Sequence, residues 1–453
     1  MLDEIKKMLM RWPFVRRCLP LYHLLLAVAG VLWYGNPSRG MVVIGVTGTK
    51  GKSSVVYLLA RALEWEGVTT AALSSIEIKV GGYTVPNSTK MTMPGRLFIW
   101  QFLARAKRAG CRYAIIEVTS QGILQHRHRF IEFDTMVFTN LQREHIEAHG
   151  SYEAYRDAKL APFKTIAHLV RKMLPWKKDC IKKRIIANID DVSADFFFSC
   201  NADEKIGYGL GAQSVFRSDF TETIVPNSVD YTKGITMAIG GAVARSPLVG
   251  RFNAYNLLAV MAVCYTEGID FDESARRIEN ISTIPGRFEY VKAGQPFTVI
   301  VDYAHTPDSL MELYGAATML KKNDGTMICV LGCAGGGRDK WKRPEMAALA
   351  EKNCDVVIFT NEDPYDEDPN AIVDEMEQGL SAAFKKNTAR FTRILERNKA
   401  LAKAVSLARA GDVLVCSGKG SERWIVTNNG KIPWNEKEVL EKLLQENAKS
   451  EKS

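Results

Sequence analysis

The sequence predicts an α/β protein: a P-loop central ATPase domain on a mostly parallel sheet, then a C-terminal Rossmann-like α/β domain, with a short helical arm in front. Three observations carry this expectation. Strand-like and helix-like segments alternate from residue 41 onward. A glycine-rich turn, GTKGKSS, joins the first strand to the first helix, the usual setting for phosphate. The alternation then starts afresh around IPGRFEYV, near residue 284. At 453 residues the chain exceeds one ordinary core. The expected division is an arm at 1–40, a central domain at 41–284 and a C-terminal domain at 285–453.

Each element has its own signal. In the arm, LYHLLLAVAGVLWYG (21–35) is almost wholly apolar and follows Arg16, Arg17 and Pro20. It is shorter than the ~20 apolar residues of a spanning helix and has no cleavage site of a secretory signal. Two readings stay open: a helical hairpin packed on the body, which is favoured, or a segment lying weakly on the inner membrane face. MVVIGVTG reads as strand, 54–66 as helix, and YAIIEVTS and TMVFTNL as strands. Residues 161–184, rich in lysine and arginine, are expected to form a solvated helix and loop. The second domain carries the strands FTVIVDYA, TMICVLGC, DVVIFTNE and DVLVCSGKG, and the chain ends in a helix that frays.

Composition excludes little beyond fibrous and disordered chains: 46% of residues are apolar and 25% charged. The formal charge of +9 favours anionic ligands, but no nucleic-acid partner is expected. Nine cysteines without paired short spacings read as reduced thiols of a cytoplasmic protein.

The chemistry lies in the motifs. Backbone amides of Gly48, Thr49, Lys50 and Gly51 can surround phosphate oxygens, helped by the helix beginning at Lys52, Ser53 and Ser54. Lys52 would reach the β/γ-phosphates and Ser53 would meet Mg²⁺. Val46 stands where the strict P-loop pattern has its first glycine, so the loop is a variant. Glu117 ends a buried strand, where a carboxylate calls for a cation. Asn140, Glu144, His145 and His149 follow another strand, and two histidines there, in a chain with seven, favour ligation.

These stretches, with YRDAK, GRFNAYN, VDYAHTPDSL, GCAGGGRDKWKRP, NEDPYDEDP and SGKGSE, resemble the Mur ligases in order and approximate spacing over about residues 41–430. The resemblance is closest to the MurE type, which adds the third amino acid to a muramoyl-L-alanyl-D-glutamate acceptor. It implies an ATP-dependent amide-bond ligase working through an acyl phosphate, with ATP and Mg²⁺ as cofactors, in peptidoglycan precursor synthesis. It implies that Lys52, Ser53 and Glu117 serve the phosphates and a first Mg²⁺. His145 and Lys159, the latter as a carbamate, would hold a second. Asn253 and Asn256 would lie near the adenine, Arg287 at the γ-phosphate and Asp302 at the ribose. Thr92, Thr119, Gln125 and Arg127 would contact the muramoyl-dipeptide. Arg338, Glu362, Asp363, Pro364, Tyr365, Gly418 and Glu422 would form the pocket of the incoming amino acid. The expected partners are the muramoyl-peptide and a free amino acid, and the protein is expected to be a monomer.

Departures from the pattern matter as much. MurE-type enzymes usually begin with a nucleotide-gripping domain of about a hundred residues, whereas residues 1–40 here are apolar and basic. The DNPR of diaminopimelate-adding members reads Glu362-Asp363-Pro364-Tyr365, which removes a bidentate partner for a distal carboxylate. The added acidity favours an amino acid with a terminal amine, lysine-like or diaminopimelate itself. EVSSH has become EVTSQ, which keeps the hydroxyls. Rival readings are another amide ligase of the superfamily, folylpolyglutamate or cyanophycin synthetase-like, and a non-catalytic membrane-associated ATP-binding subunit.

Overall fold

A computed structural model describes residues 13–89, 91–144, 146–211, 220–322 and 324–450. The chain divides into two compact units. The first comprises Met1–Val229, Met237–Arg245 and Ala254–Asn280, and the second Asp230–Thr236, Ser246–Asn253 and Ile281–Ser453.

The first unit is built on a nine-stranded sheet of order β4-β3-β2-β5-β1-β6-β7-β8-β9. Its strands are β1 (Val42–Thr47), β2 (Thr70–Leu73), β3 (Glu77–Val80), β4 (Tyr83–Pro86), β5 (Tyr113–Glu117), β6 (Thr135–Phe138), β7 (Arg184–Asn188), β8 (Glu204–Tyr208) and β9 (Glu222–Ile224). Pairing is parallel from β2 through β9, and β3 alone runs against its neighbours β2 and β4. β1 and β5 are buried at every position, as continuous apolar runs in a doubly covered parallel sheet should be. The GTKGKSS turn and Glu117 therefore emerge at the same, C-terminal, edge of central strands, where open α/β sheets bind ligands.

In the arm, Pro13–Tyr34 forms one continuous helix, and the expected hairpin rests in part on residues outside the described ones. Residues 1–12 lie outside the described residues. Ala27 and Gly30 are buried, and a methyl group on Gly30 would strike the indole of buried Trp100. The helix thus packs on the body at Ala27 and Gly30.

The basic stretch before β7 is also corrected. Lys172 and Lys183 are buried, reaching Asp134 at 2.5 and 2.9 Å, while Asp134 accepts from the Val43 amide at 2.8 Å. The two lysines satisfy one buried carboxylate at the start of β6, so the run is only partly solvated.

Between residues 228 and 246 three short strands, β10 (Ser228–Asp230), β11 (Ile235–Ile239) and β12 (Ala242–Ser246), form a separate sheet. The second unit has a six-stranded sheet of order β13-β14-β18-β15-β16-β17. Its strands are β13 (Glu289–Tyr290), β14 (Thr298–Asp302), β15 (Met327–Leu331), β16 (Val356–Phe359), β17 (Phe391–Arg393) and β18 (Val413–Ser417), all parallel except β13. A hairpin, β19 (Trp424–Thr427) and β20 (Gly430–Pro433), follows. Cys329 on β15 is bonded to Cys354 as a disulfide, against the expectation that all thiols are reduced. Its two cysteines meet because the helix Lys342–Asn353 returns the chain beside β15, a proximity that sequence spacing hides.

Candidate active site

In the first unit the turn after β1 is held open by its glycines. Gly48 (φ 147°) and Gly51 (φ 82°) occupy backbone regions that a side chain resists. A Cβ on Gly48 would also strike the Thr139 hydroxyl, and one on Gly51 would come 2.6 Å from Asn256 Oδ1. The loop is clamped from the end of β6: the Thr49 amide donates to Asn140 O and the Lys50 amide to Asn140 Oδ1, each at 2.8 Å. Thr49 Oγ1 lies 3.1 Å from the Tyr155 hydroxyl.

Three lysines converge on this loop. Lys52 Nζ donates to Gly48 O (3.0 Å) and Thr49 O (2.7 Å). Lys159 Nζ donates to the same Gly48 carbonyl at 2.6 Å. Lys50 pairs with the buried Glu144 at 3.2 Å. Lys159 is fully buried, and its amine is held well below the usual lysine value, first by burial and then by the charge of Lys52. A buried amine beside a second cation gains by meeting a polyanion, or by becoming anionic itself.

Glu117 is buried at the end of β5 and accepts from two neutral donors, Ser53 Oγ at 2.8 Å and the Ser75 amide at 3.0 Å. A hydroxyl beside a carboxylate at a helix N-terminus is a hard oxygen donor pair, which fits Mg²⁺. His149 Nε2 lies 3.1 Å from Ser120 Oγ, and burial, followed by Lys159, lowers its pKa. His145 lies outside the described residues, and no group of three or more His, Cys, Asp or Glu side chains suited to a metal occurs among the described ones.

The predicted acceptor residues gather at the neighbouring segment. Thr119 caps the short helix Ser120–Leu124 by accepting from the Gly122 amide at 3.1 Å. Arg127 donates to Gln125 Oε1 at 2.5 and 3.1 Å and to the Met93 carbonyl, beside half-buried Thr92. Ser54 is buried in the first turn of the helix Lys52–Ala62.

The second unit brings its own predicted residues together. Asp302, at the end of β14, accepts from the Phe288 and Ala304 amides, each at 2.6 Å, and so fixes the strand crossing that carries Arg287. The Arg287 guanidinium sits 4.4 Å from the Tyr303 ring centroid. Asn253 is buried and donates to Val249 O at 2.8 Å.

Around Glu362 the electrostatics are divided. Asp363 accepts from Lys419 Nζ at 3.0 Å and from the Val426 amide at 2.7 Å, and Lys419 also meets Glu422 at 2.8 Å. Burial opposes the Lys419 charge, yet Glu422 and Asp363 hold its ammonium above the ordinary value. Glu362 is fully buried and its Oε2 has no hydrogen-bond partner among the described residues. Burial pushes its carboxyl up, with Lys419 acting in the opposite sense. Gly418 (φ 101°) leaves room for it, since a Cβ there would lie 2.6 Å from Glu362 Oε2. Tyr365 takes a left-handed conformation (φ 55°) after buried Pro364, and its hydroxyl bonds to Arg338.

Comparison with known proteins agrees with this geometry. Residues 46–264 match the Mur ligase middle domain and residues 286–420 the Mur ligase glutamate ligase domain. The chain is 34% identical over 425 residues to a UDP-N-acetylmuramyl-tripeptide synthetase of Roseiflexus sp. (strain RS-1), covering 93% of this chain and 82% of that one. It belongs to the Mur ligase family. A relative from Geobacillus kaustophilus (strain HTA426), named UDP-N-acetylmuramoyl-L-alanyl-D-glutamate–2,6-diaminopimelate ligase, is 32% identical over the same shares of both chains. A solved structure of a ligase with that name superimposes with a TM-score of 0.59 at 26% identity, over 90% of this chain and 79% of the other. Folylpolyglutamate synthase of Mycobacterium tuberculosis complexed with ADP shares the fold, with a TM-score of 0.63 at 17% identity over 92% and 95% of the two chains.

As a Mur ligase the chain is an ATP-dependent, ADP-forming acid–amino-acid ligase. Two residues that shape this ligase's site gave no sequence signal of that role, although Tyr155 opens the YRDAK stretch. Ser75 touches both Ser53 (2.7 Å) and Glu117, and Tyr155 touches Thr49. Lys419 lies inside the SGKGSE motif, so its position gave a signal that its pairing with Asp363 makes intelligible.

Proposed function

We propose that this ligase joins the amine of a diaminopimelate- or lysine-like amino acid to the free carboxylate of a muramoyl-L-alanyl-D-glutamate acceptor. The observation that carries this reading is the convergence of Lys50, Lys52 and Lys159 on the Gly48–Gly51 loop, beside the Ser53–Glu117 pair. The acceptor carboxylate attacks the γ-phosphorus of ATP, ADP leaves, and the amine then displaces phosphate from the acyl phosphate. Loop amides and Lys52 hold the transferring phosphoryl group, and no covalent nucleophile is required. In our reading Ser53 and Glu117 would hold one Mg²⁺, and His145 with carbamylated Lys159 a second; the ions would supply charge neutralisation when bound. The lowered affinity of Lys159 for a proton supports the carbamate, because CO₂ adds to the neutral amine.

Asn253 and Asn256 are assigned to adenine, Asp302 to the ribose and Arg287 to the γ-phosphate. Thr92, Thr119, Gln125 and Arg127 orient the acceptor. Arg338 and Gly418 frame the amino-acid pocket, and Glu362 supplies the carboxylate for a terminal amine. We place the enzyme in the cytoplasm as a monomer. Among the described residues no helix is long and apolar enough to cross a membrane.

The test is orthophosphate release by the purified chain with ATP and Mg²⁺. Release that requires both the muramoyl-dipeptide and an amino acid, giving a tripeptide by mass, is the expected result. ATP turnover indifferent to both would overturn the reading.

A further inference from the structure

An open-sided cavity of about 530 Å³ lies in the first unit, within the range of small-molecule sites. Its walls come from three places: the arm (Val31), the segment after Thr119 (Ile123, Phe130, Ile131) and the helix Tyr152–Ile166 (Ala161, Pro162). The lining is mainly apolar, and its charged groups are cationic or imidazole except for Glu132, which pairs with Arg39 at 3.2 Å. Arg129 is exposed at the edge. His128, partly buried, lines the cavity, and its buried Nδ1 is without a partner among the described residues. The backbone here is also unusual, with His126 (φ 54°) and Phe130 (φ 65°) in the left-handed region.

The arm helix adds a second, independent feature. Leu21, Tyr22, Leu25, Leu32 and Trp33 are all exposed, Trp33 to 84% and Leu32 to 78%. At 100° per residue they fall within roughly a 120° sector, an apolar stripe facing away from the core. Val31, in the cavity wall, is next in sequence to Leu32 and lies about 80° around the helix from the nearer edge of the stripe.

We propose that this cavity binds the apolar chain of a lipid-linked diphosphate, so that the acceptor reaches the enzyme from a membrane surface. The shape and lining suit a hydrocarbon chain. Arg129 and His128 offer donors to the diphosphate that would follow it, and the segment that walls the cavity continues into Gln125 and Arg127. The exposed stripe lies on a bilayer while the chain enters beside Val31. The assignment of the head group rests on the ligase reading above; the lipid site does not.

The experiment measures binding of farnesyl diphosphate, inorganic diphosphate and UDP to the full-length chain by calorimetry, below any micelle-forming concentration. Wild type is expected to bind farnesyl diphosphate at least tenfold more tightly than either comparator. Thr165→Trp fills the cavity mouth from an exposed position, and Val31→Glu sets a charge in its wall. Each should weaken farnesyl diphosphate tenfold or more while ATP binding and thermal unfolding stay as in wild type. Equal affinity for farnesyl and inorganic diphosphate, preference for UDP, or unaltered binding by both variants would overturn the proposal. So would farnesyl diphosphate binding that appears only after residues 1–12 are deleted, which would give the cavity to the chain's own N-terminal segment. Ligase assays with lipid-linked and UDP-linked muramoyl-dipeptide separate the two readings. Prenyl binding without ligation of either acceptor would refute only the ligase reading. Efficient ligation of the UDP-linked acceptor without prenyl binding would refute only this one.

Discussion

Replacing Lys159 by methionine should make the protein more stable and the enzyme nearly inactive. The native amine is buried next to the Lys52 ammonium, and burial followed by that charge lowers its pKa well below 10.5. Methionine fills a similar volume without a charge to desolvate, and replacing buried charged groups by apolar ones gains about 1–4 kcal/mol. Against this stands the hydrogen bond to Gly48 O, worth about 1 kcal/mol net. That carbonyl still accepts from Lys52, so no buried acceptor is orphaned. The balance is a gain of about 1–2 kcal/mol, or about 2–6 °C in Tm for a unit of this size. The sign with pH follows from linkage. Between the depressed folded value and 10.5 the unfolded lysine binds more protons than the folded one, so wild-type stability rises with pH there. The advantage of the methionine variant should therefore be largest at low pH and shrink as pH rises toward 10.5. Thermal unfolding in bicarbonate-free buffer without ATP measures it. Ligase activity should fall by about 10²-fold or more, as when a group stabilising developing charge is removed, and short carboxylates should restore part of it in Lys159→Ala. A variant less stable than wild type, or an advantage that grows with pH, would refute the burial argument; undiminished activity would refute the carbamate.

Other outcomes follow from named contacts. Asp134→Ala removes the carboxylate that faces buried Lys172 and Lys183 and frees the Val43 amide, and should cost about 5 kcal/mol, read by denaturant unfolding. Tyr365→Arg should raise the kcat/KM ratio of diaminopimelate over lysine, since a guanidinium can pair a distal carboxylate in two hydrogen bonds; an unchanged ratio would remove position 365 from the pocket. Glu362→Gln should raise KM for amino acids with a terminal amine tenfold or more while kcat for the residual reaction stays similar. Cys329→Ser should lower the stability of the second unit by about 3 kcal/mol, the entropic value for a closed loop of this order. Reduction with dithiothreitol should reproduce that loss in the wild type and leave the variant unaffected.

What could be read from the sequence was local, and what could not depended on distant partners. The phosphate loop was legible because its glycines, lysine and serine are consecutive and each meets a local demand: positive φ at Gly51, a helix N-terminus at Lys52. Glu117 was legible because a carboxylate ending a buried strand is costly unless a cation or hydrogen-bond donors meet it. Ser75, 22 residues from the Ser53 it touches, carries no such local mark; Tyr155 opens the YRDAK stretch, but its contact with Thr49, 106 residues away, has no local sign. The run before β7 read as solvated because lysine usually is; the carboxylate that buries Lys172 and Lys183 lies at residue 134, beyond any window of periodicity. The cysteines failed for a related reason: composition speaks about compartments, whereas the Cys329–Cys354 bond depends on where one helix returns its chain.

The same distinction sharpens the question of amino-acid choice. Set against DNPR, EDPY carries one more carboxylate and lacks the arginine, which suggests a more anionic face toward the incoming side chain. Lys419 takes up Asp363, as well as Glu422, while Arg338 meets the Tyr365 hydroxyl. Of the two carboxylates in EDPY, Glu362 keeps a buried oxygen with no partner among the described residues, and such an oxygen is costly until a cation or donor arrives. A terminal ammonium would recover that cost upon binding, whereas a substrate ending in a methyl group would leave it in place. Selectivity for an amine-bearing side chain then comes mainly from the penalty imposed on its apolar analogues, the kind of discrimination in which unpaired buried groups exceed simple loss of contact.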